Sequence, residues 1–280
     1  IKELAAASRV ENVPSVVLSF FPHPTEILRG EREDFYLTTP DERSDLFADL
    51  GVDVAITHPF DQQVAQTPAR DFVLLLKRHL GFTQLRVGAD FALGHNREGN
   101  VEFLQRLGGE MDFKVHVVPP VMQHGEVISS SRIRALLHEG AVESAARFLG
   151  RPYSISGQVV RGAGRGHSLG IPTANLDIWK KRLVPAIGIY VTQATVKGKS
   201  WGSVTSIGVR PTFNDNLPAP VVETYLLDYD DGQFYGETLN LDFIARLRDE
   251  EKFSIVDELM AQIDRDIEAA RSILAKTFLS

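Results

Sequence analysis

No cysteine occurs anywhere in the 280 residues. Its absence excludes disulfides, thiolate nucleophiles, thiolate-bound zinc and iron–sulfur clusters, and it fits a protein of the cytoplasm. No apolar run reaches the roughly 18 residues that a membrane span requires, so no membrane partner is expected. A basic excess is missing too: 30 Lys and Arg stand against 37 Asp and Glu, for a net charge of −7. That balance argues against a general nucleic-acid binder and is compatible with local basic pockets for phosphate. Internal repeats and low-complexity tracts are lacking, and so is an initiator Met. The chain opens on Ile1-Lys2-Glu3-Leu4-Ala5-Ala6-Ala7, a helical composition without a start signal, so further residues are expected upstream.

What is present is an ordinary globular composition, 43% hydrophobic and 24% charged, long enough for about two domains of roughly 150 residues. The boundary is expected at Gly150-Arg151-Pro152, giving residues 1–152 and 153–280. In the first part, strand-length apolar runs at 15–21, 52–57, 85–88 and 114–118 alternate with helical segments. Thr39-Pro40 with Glu42 spells a capping box, and Thr67-Pro68 repeats the start signal for a helix that Gly81 stops. Strands separated by helices of this length predict a parallel sheet with crossover helices, hence an α/β domain.

The second part changes period. Short β-branched runs at 155–160, 187–196, 203–208, 221–228 and 237–243, broken by Gly, Pro, Asn and Asp, predict a small antiparallel β-barrel or sandwich. Ser254 with Asp257 then starts a terminal α-helix whose apolar stripe is read as Ile255, Leu259, Ile263, Ile267 and Leu274.

The densest motif is GQVVRGAGRGHSLGIPTANL at 157–176. Its glycines let backbone amides approach an anion closely, and Arg161 and Arg165 add charge. It is neither a Walker A loop, which needs Lys, nor a dinucleotide fingerprint, whose third Gly is replaced by His167. Thr173 and Asn175, two apart in an extended segment, point to one side, a pair suited to a metal-bound phosphate. Glu223, in VVETYLLDYD, shares a strand face with Tyr225 and Leu227. Ser129, Ser130 and Ser131 precede a helix that also carries Arg132 and Arg134, an arrangement suited to a triphosphate. His23, between Pro22 and Pro24 just past the first strand, falls where α/β sheets bind ligands.

Taken with VPAIGIY at 184–190, SIGVRPTF at 206–213, ETYLLDYDDGQFYG at 223–236 and LRDEEKF at 247–253, this glycine-rich run resembles the riboflavin kinase module. FFPHP at 20–24, LTTPDER at 37–43, GADFALGHNREG at 88–99 and ISSSRIR at 128–134 resemble the FMN adenylyltransferase module of bacterial FAD synthetase. The resemblance covers essentially the whole chain. It implies a Rossmann-like nucleotidyltransferase module followed by a kinase barrel, with riboflavin, FMN and ATP as small-molecule substrates and a monomer or weak homo-oligomer. Mg2+ is the implied cofactor, ATP the co-substrate, FMN and FAD the products.

In the kinase module the resemblance implies that Glu223, Asn175 and Thr173 are catalytic, with Thr173 the metal ligand. Gly162, Arg165, Gly170 and Pro172 bind ATP phosphates, and Arg248 binds flavin. In the adenylyltransferase module it implies phosphate contacts from Ser130, Ser131 and Arg134, and flavin contacts from Pro22, His23, Pro24, Asp90 and Phe91. The family also begins with a strand and a His-x-Gly-His turn that this sequence does not contain. Three readings therefore stand side by side: a bifunctional enzyme with further upstream residues, a riboflavin kinase with a catalytically incomplete first domain, and a non-catalytic flavin-binding protein.

Overall fold

The structure, a computed structural model, describes residues 1–30, 33–123, 125–162, 171–210 and 219–277. The chain divides into two compact units, Ile1–Arg32 with Thr38–Ile128, and Glu33–Leu37 with Ser129–Ser280.

The first unit is an α/β assembly with parallel strands. β1 (Val16–Phe21) pairs in parallel with β2 (Val54–Pro59), and β3 (Gln84–Gly88) with β6 (Lys114–Val118). Two short antiparallel pairs accompany them, β4 (Ala92–Leu93) with β5 (Gly99–Asn100) and β7 (Met122–Gln123) with β8 (Glu126–Val127). The helices are α1 (Lys2–Glu11), α2 (Pro24–Arg29), α3 (Pro40–Asp49), α4 (Gln62–Gln66), α5 (Ala69–Leu80) and α6 (Val101–Met111). Val73, Leu104, Leu107 and Phe113 form the core between α5, α6 and the β3–β6 pair.

Local chemistry explains these boundaries. At α3 the expected capping box is present, with Thr39 Oγ1 accepting from Glu42 N–H at 3.2 Å and Glu42 accepting from Thr39 N–H at 2.9 Å. The starts of β1 and β2 are locked together, because Asp53 accepts from both the amide and the hydroxyl of Ser15 at 2.8 and 2.6 Å. At α5 the start differs from expectation. Thr67 makes no cap, Pro68 holds the N-cap position without a side-chain bond, and Glu98 reaches across from a distant loop to accept from Ala69 N–H at 2.7 Å. A backbone-only start thus receives its acceptor from tertiary structure.

The second unit is a closed antiparallel barrel in the order β10-β13-β12-β11-β14-β9. The strands are β9 (Tyr153–Val160), β10 (Ala174–Asp177), β11 (Gly188–Val196), β12 (Lys199–Arg210), β13 (Ala219–Leu226) and β14 (Thr238–Arg248). Alternate residues point inward, so Tyr153, Ile155 and Val159 of β9 meet Leu239, Leu241 and Phe243 of β14 and Val222 of β13 in one core. β10 closes the ring although its four residues carry too little β-branched signal to announce a strand. Inside the barrel a chain of hydroxyls replaces apolar filling. Thr192 bonds Ser203 at 2.7 Å and Thr205 at 2.6 Å, and Thr205 donates to Thr224 at 2.9 Å, all four fully buried. Each hydroxyl has a partner, so the network specifies register without leaving an unpaired dipole.

Before the barrel come α7 (Ser130–His138) and α8 (Val142–Leu149), and after it α9 (Val256–Thr277). The last packs Ala270 and Leu274 against Val191, Leu227 and Ala245 on the barrel's outer surface. Its packed stripe runs through Ile267, Ala270, Ile273 and Leu274; Ile255, expected to belong to it, precedes the helix and is exposed.

Candidate functional site

Strand register assembles the first site. Asn175 of β10 lies directly opposite Glu223 of β13, Glu223 opposite Ser206 of β12, Ser206 opposite Ile189 of β11, and Ile189 opposite Arg248 of β14. Opposed residues share a sheet face, with Cβ atoms about 4.5–5.5 Å apart. Their strand neighbours Val222, Thr224, Thr205 and Ile207 are buried inside the barrel, so this row lies on the outer face. Asn175 is 7% exposed; Glu223 and Ser206 are half-buried. Thr173, half-buried, precedes β10 by one residue, and Pro172 beside it is exposed.

Gly162 covers Asn175. A Cβ at that position would lie 2.6 Å from Asn175 Cγ and closer still to Nδ2, so only glycine lets the backbone pass over this carboxamide. Arg165 and Gly170, expected to bind phosphate, lie outside the described residues. Behind the row, the buried hydroxyl chain includes Thr224 and Thr205, the immediate neighbours of Glu223 and Ser206.

Arg248 ends the row and makes a buried ion pair. Its Nε and Nη2 donate to the two carboxylate oxygens of Asp266 on α9, the shortest contact being 2.8 Å, and Nη1 donates to the Asp249 carbonyl at 2.9 Å. Asp266 also accepts from Gln262 at 2.9 Å. The side chains of the pair are 17% and 8% exposed.

Among the described residues no group of three His, Cys, Asp or Glu could hold a metal ion. What the row offers is a sparse set of hard oxygens, the Thr173 hydroxyl, the Asn175 carboxamide oxygen and the Glu223 carboxylate. Such a set fits Mg2+, which keeps several waters and substrate phosphates in its shell.

The other expected site residues fall in both units. In the first, His23 caps α2, its Nδ1 accepting from Thr25 N–H at 3.2 Å, with Pro22 and Pro24 on either side at the carboxyl end of β1. Asp90 and Phe91 follow the carboxyl end of β3, and both are exposed. Their loop is held where Gly94, at φ +76°, lies against the backbone of Ala69, with a would-be Cβ 2.5 Å from its N and Cα.

In the second unit, Ser130 and Ser131 stand exposed in the first turn of α7, which Ser129 caps by accepting from Arg132 N–H at 3.2 Å. Arg134 donates Nε to the Phe35 carbonyl at 2.7 Å, and its guanidinium lies 4.1 Å from the Phe35 ring centroid. That strap is sewn to the loop after β10, since Phe35 and Tyr36 amides both donate to the Lys181 carbonyl. Beside it, burial raises the Asp34 carboxyl above the usual carboxylate range, partly offset by His138. Sequence reading missed Phe35, Asp266 and Ser206. Ser206 alone had an available signal, its place within SIGVRPTF on a strand beside that of Glu223.

Family profiles described as FAD synthetase and riboflavin kinase match residues 1–132 and 149–274. The bifunctional riboflavin kinase/FMN adenylyltransferase of Pseudomonas fluorescens is 35% identical over 264 residues, covering 94% of this chain and 84% of that protein. The Escherichia coli K12 protein of the same name is 33% identical, covering 99% and 88%. A crystal structure from Streptococcus pneumoniae, described as a macrolide-efflux protein, superposes with a TM-score of 0.88 at 30% identity, covering 96% of this chain and 88% of that one. Among the described residues of this chain no helix is long and apolar enough to cross a membrane.

Proposed function

The chain belongs to the bifunctional riboflavin kinase/FMN adenylyltransferase family, and on that footing we propose how its residues divide the two reactions, ATP-dependent phosphorylation of riboflavin to FMN and adenylylation of FMN to FAD with release of pyrophosphate. Residues 153–280 are the kinase module and residues 1–152 the adenylyltransferase module, a division supported by the two family matches. The family and composition support a cytoplasmic enzyme that works on small molecules as a monomer or weak homo-oligomer.

In the kinase module Glu223 accepts the proton of the ribityl 5′-hydroxyl as that oxygen attacks the γ-phosphorus and ADP leaves. Thr173 and Asn175 hold the phosphate end, with Thr173 the metal ligand, while Gly162 and Pro172 border it. Mg2+, when bound, offsets charge on the transferring phosphoryl group. Arg248 binds the flavin from a position held by Asp266. In the adenylyl-transfer step Ser130, Ser131 and Arg134 contact phosphates, and Pro22, His23, Pro24, Asp90 and Phe91 contact flavin. The support for these is family membership, exposed hydroxyls at the start of α7, and the position of the flavin set beyond the carboxyl ends of parallel strands.

One observation carries the kinase assignment: Asn175 and Glu223 are direct cross-strand partners, with Thr173 two residues before Asn175. The test is to incubate the protein with riboflavin, ATP and Mg2+ and resolve the flavins by chromatography. FMN is expected, and Glu223→Ala should abolish it while flavin binding persists. A Glu223→Ala enzyme that keeps its rate refutes the assignment of the base.

A further inference from the structure

β12 carries hydroxyls on both faces, and the two faces differ. Inward-pointing Ser203 and Thr205 are consumed by the buried network, each bonded to Thr192 within 2.6–2.7 Å. Outward-pointing Ser206 makes no side-chain hydrogen bond with any described residue. It is half-buried, and its register places it directly across from Glu223, on the side away from Asn175. The row therefore reads carboxamide, carboxylate, hydroxyl over three adjacent strands, with the hydroxyl not hydrogen-bonded among the described residues.

A polyol whose terminal hydroxyl sits at Glu223, with its phosphate acceptor direction toward Asn175, has its next hydroxyl on the Ser206 side. Cross-strand Cβ separations of about 4.5–5.5 Å match the reach of two short polar groups gripping vicinal hydroxyls. We propose that Ser206 binds the ribityl 4′-hydroxyl of riboflavin and so orients the 5′-hydroxyl toward Glu223. The role is one of substrate positioning, and it rests on Glu223 being the kinase base. Ser206 is placed to select for a substrate carrying a hydroxyl next to the one phosphorylated.

The experiment compares steady-state riboflavin phosphorylation by wild-type, Ser206→Ala and Ser206→Thr enzymes, with riboflavin and with 4′-deoxyriboflavin. One neutral hydrogen bond is worth about a threefold to tenfold change, so Ser206→Ala should raise the riboflavin KM by that factor and leave the ATP KM unmoved. Ser206→Thr should restore it. With 4′-deoxyriboflavin, wild type and Ser206→Ala should have the same kcat/KM, an equality that a purely structural role would not produce. An unchanged riboflavin KM, an effect on ATP instead, or an undiminished effect on the deoxy substrate overturns the proposal. Glu223→Ala is run alongside: if it is inactive while Ser206→Ala behaves as wild type, only the Ser206 assignment falls; if it retains full turnover, the base reading falls and the proposal with it.

Discussion

Removing Asp266 should loosen the barrel unit by an amount the geometry bounds. The pair with Arg248 is bidentate, its side chains are 17% and 8% exposed, and it joins the end of β14 to α9. Deleting one partner of a buried ion pair costs about 3–5 kcal/mol, because the other charge is left without compensation. Here the lower end applies. Arg248 retains the Asp249 carbonyl and some contact with water, so Asp266→Ala should cost about 3 kcal/mol. For a unit of this size each kcal/mol moves Tm by about 2–4 °C, which gives a fall on the order of 10 °C, measured by calorimetry or by near-ultraviolet circular dichroism. Replacing both partners with apolar residues of similar volume, Arg248→Met with Asp266→Leu, should recover most of the loss, since no charge is then stranded. If Asp266→Ala melts within 2 °C of wild type, or if the double variant is as unstable as the single one, the pair is not the staple inferred.

Gly162→Ala should slow FMN formation with little loss of Tm, because the new methyl must displace the Asn175 carboxamide; displacement of a positioning group by about 1 Å costs up to 100-fold in rate. An unimpaired rate would show that Asn175 tolerates the shift. Acid stability tests the lock between β1 and β2. The Asp53 carboxyl is held below its ordinary range, chiefly by the Ser15 hydroxyl and then by the Ser15 amide. A lowered folded value means that its stabilisation is complete above the unfolded value, near 3.9, and is lost as pH falls through the folded value. Denaturant melts of wild type and Ser15→Ala should therefore differ at neutral pH by a gap that narrows as pH falls below about 4, leaving the part due to the Asp53 N–H bond to the Ser15 hydroxyl, which does not titrate; a gap that stays constant on acidification refutes the linkage.

Much of this was legible from residue order because it depends on local rules. Alternation of strand and helix periods, the Thr39–Glu42 box and the glycine stops act over a few residues, and so do the β-branched runs at 155–160, 187–196 and 237–243 that overlap β9, β11 and β14. The motifs single out Thr173, Asn175 and Glu223 from residue type and spacing alone. What failed locally failed for a local reason. Ala174–Asp177 is too short to declare itself a strand, and the α5 start carries a Thr-Pro signal whose hydroxyl is not the acceptor used.

Cysteine-free composition, the two-part chain, the class of each part and the chemistry-bearing motifs were determined by sequence alone, because spacing within a segment sets which side chains share a face. Only the tertiary structure decided that Glu223 stands between Asn175 and Ser206, that Asp266 holds Arg248, and that Phe35 lies under Arg134. These pairs join residues from 17 to 99 positions apart. Register between separate strands and helices arises from closing a barrel around its core, and no local pattern encodes which residue will face which across that closure.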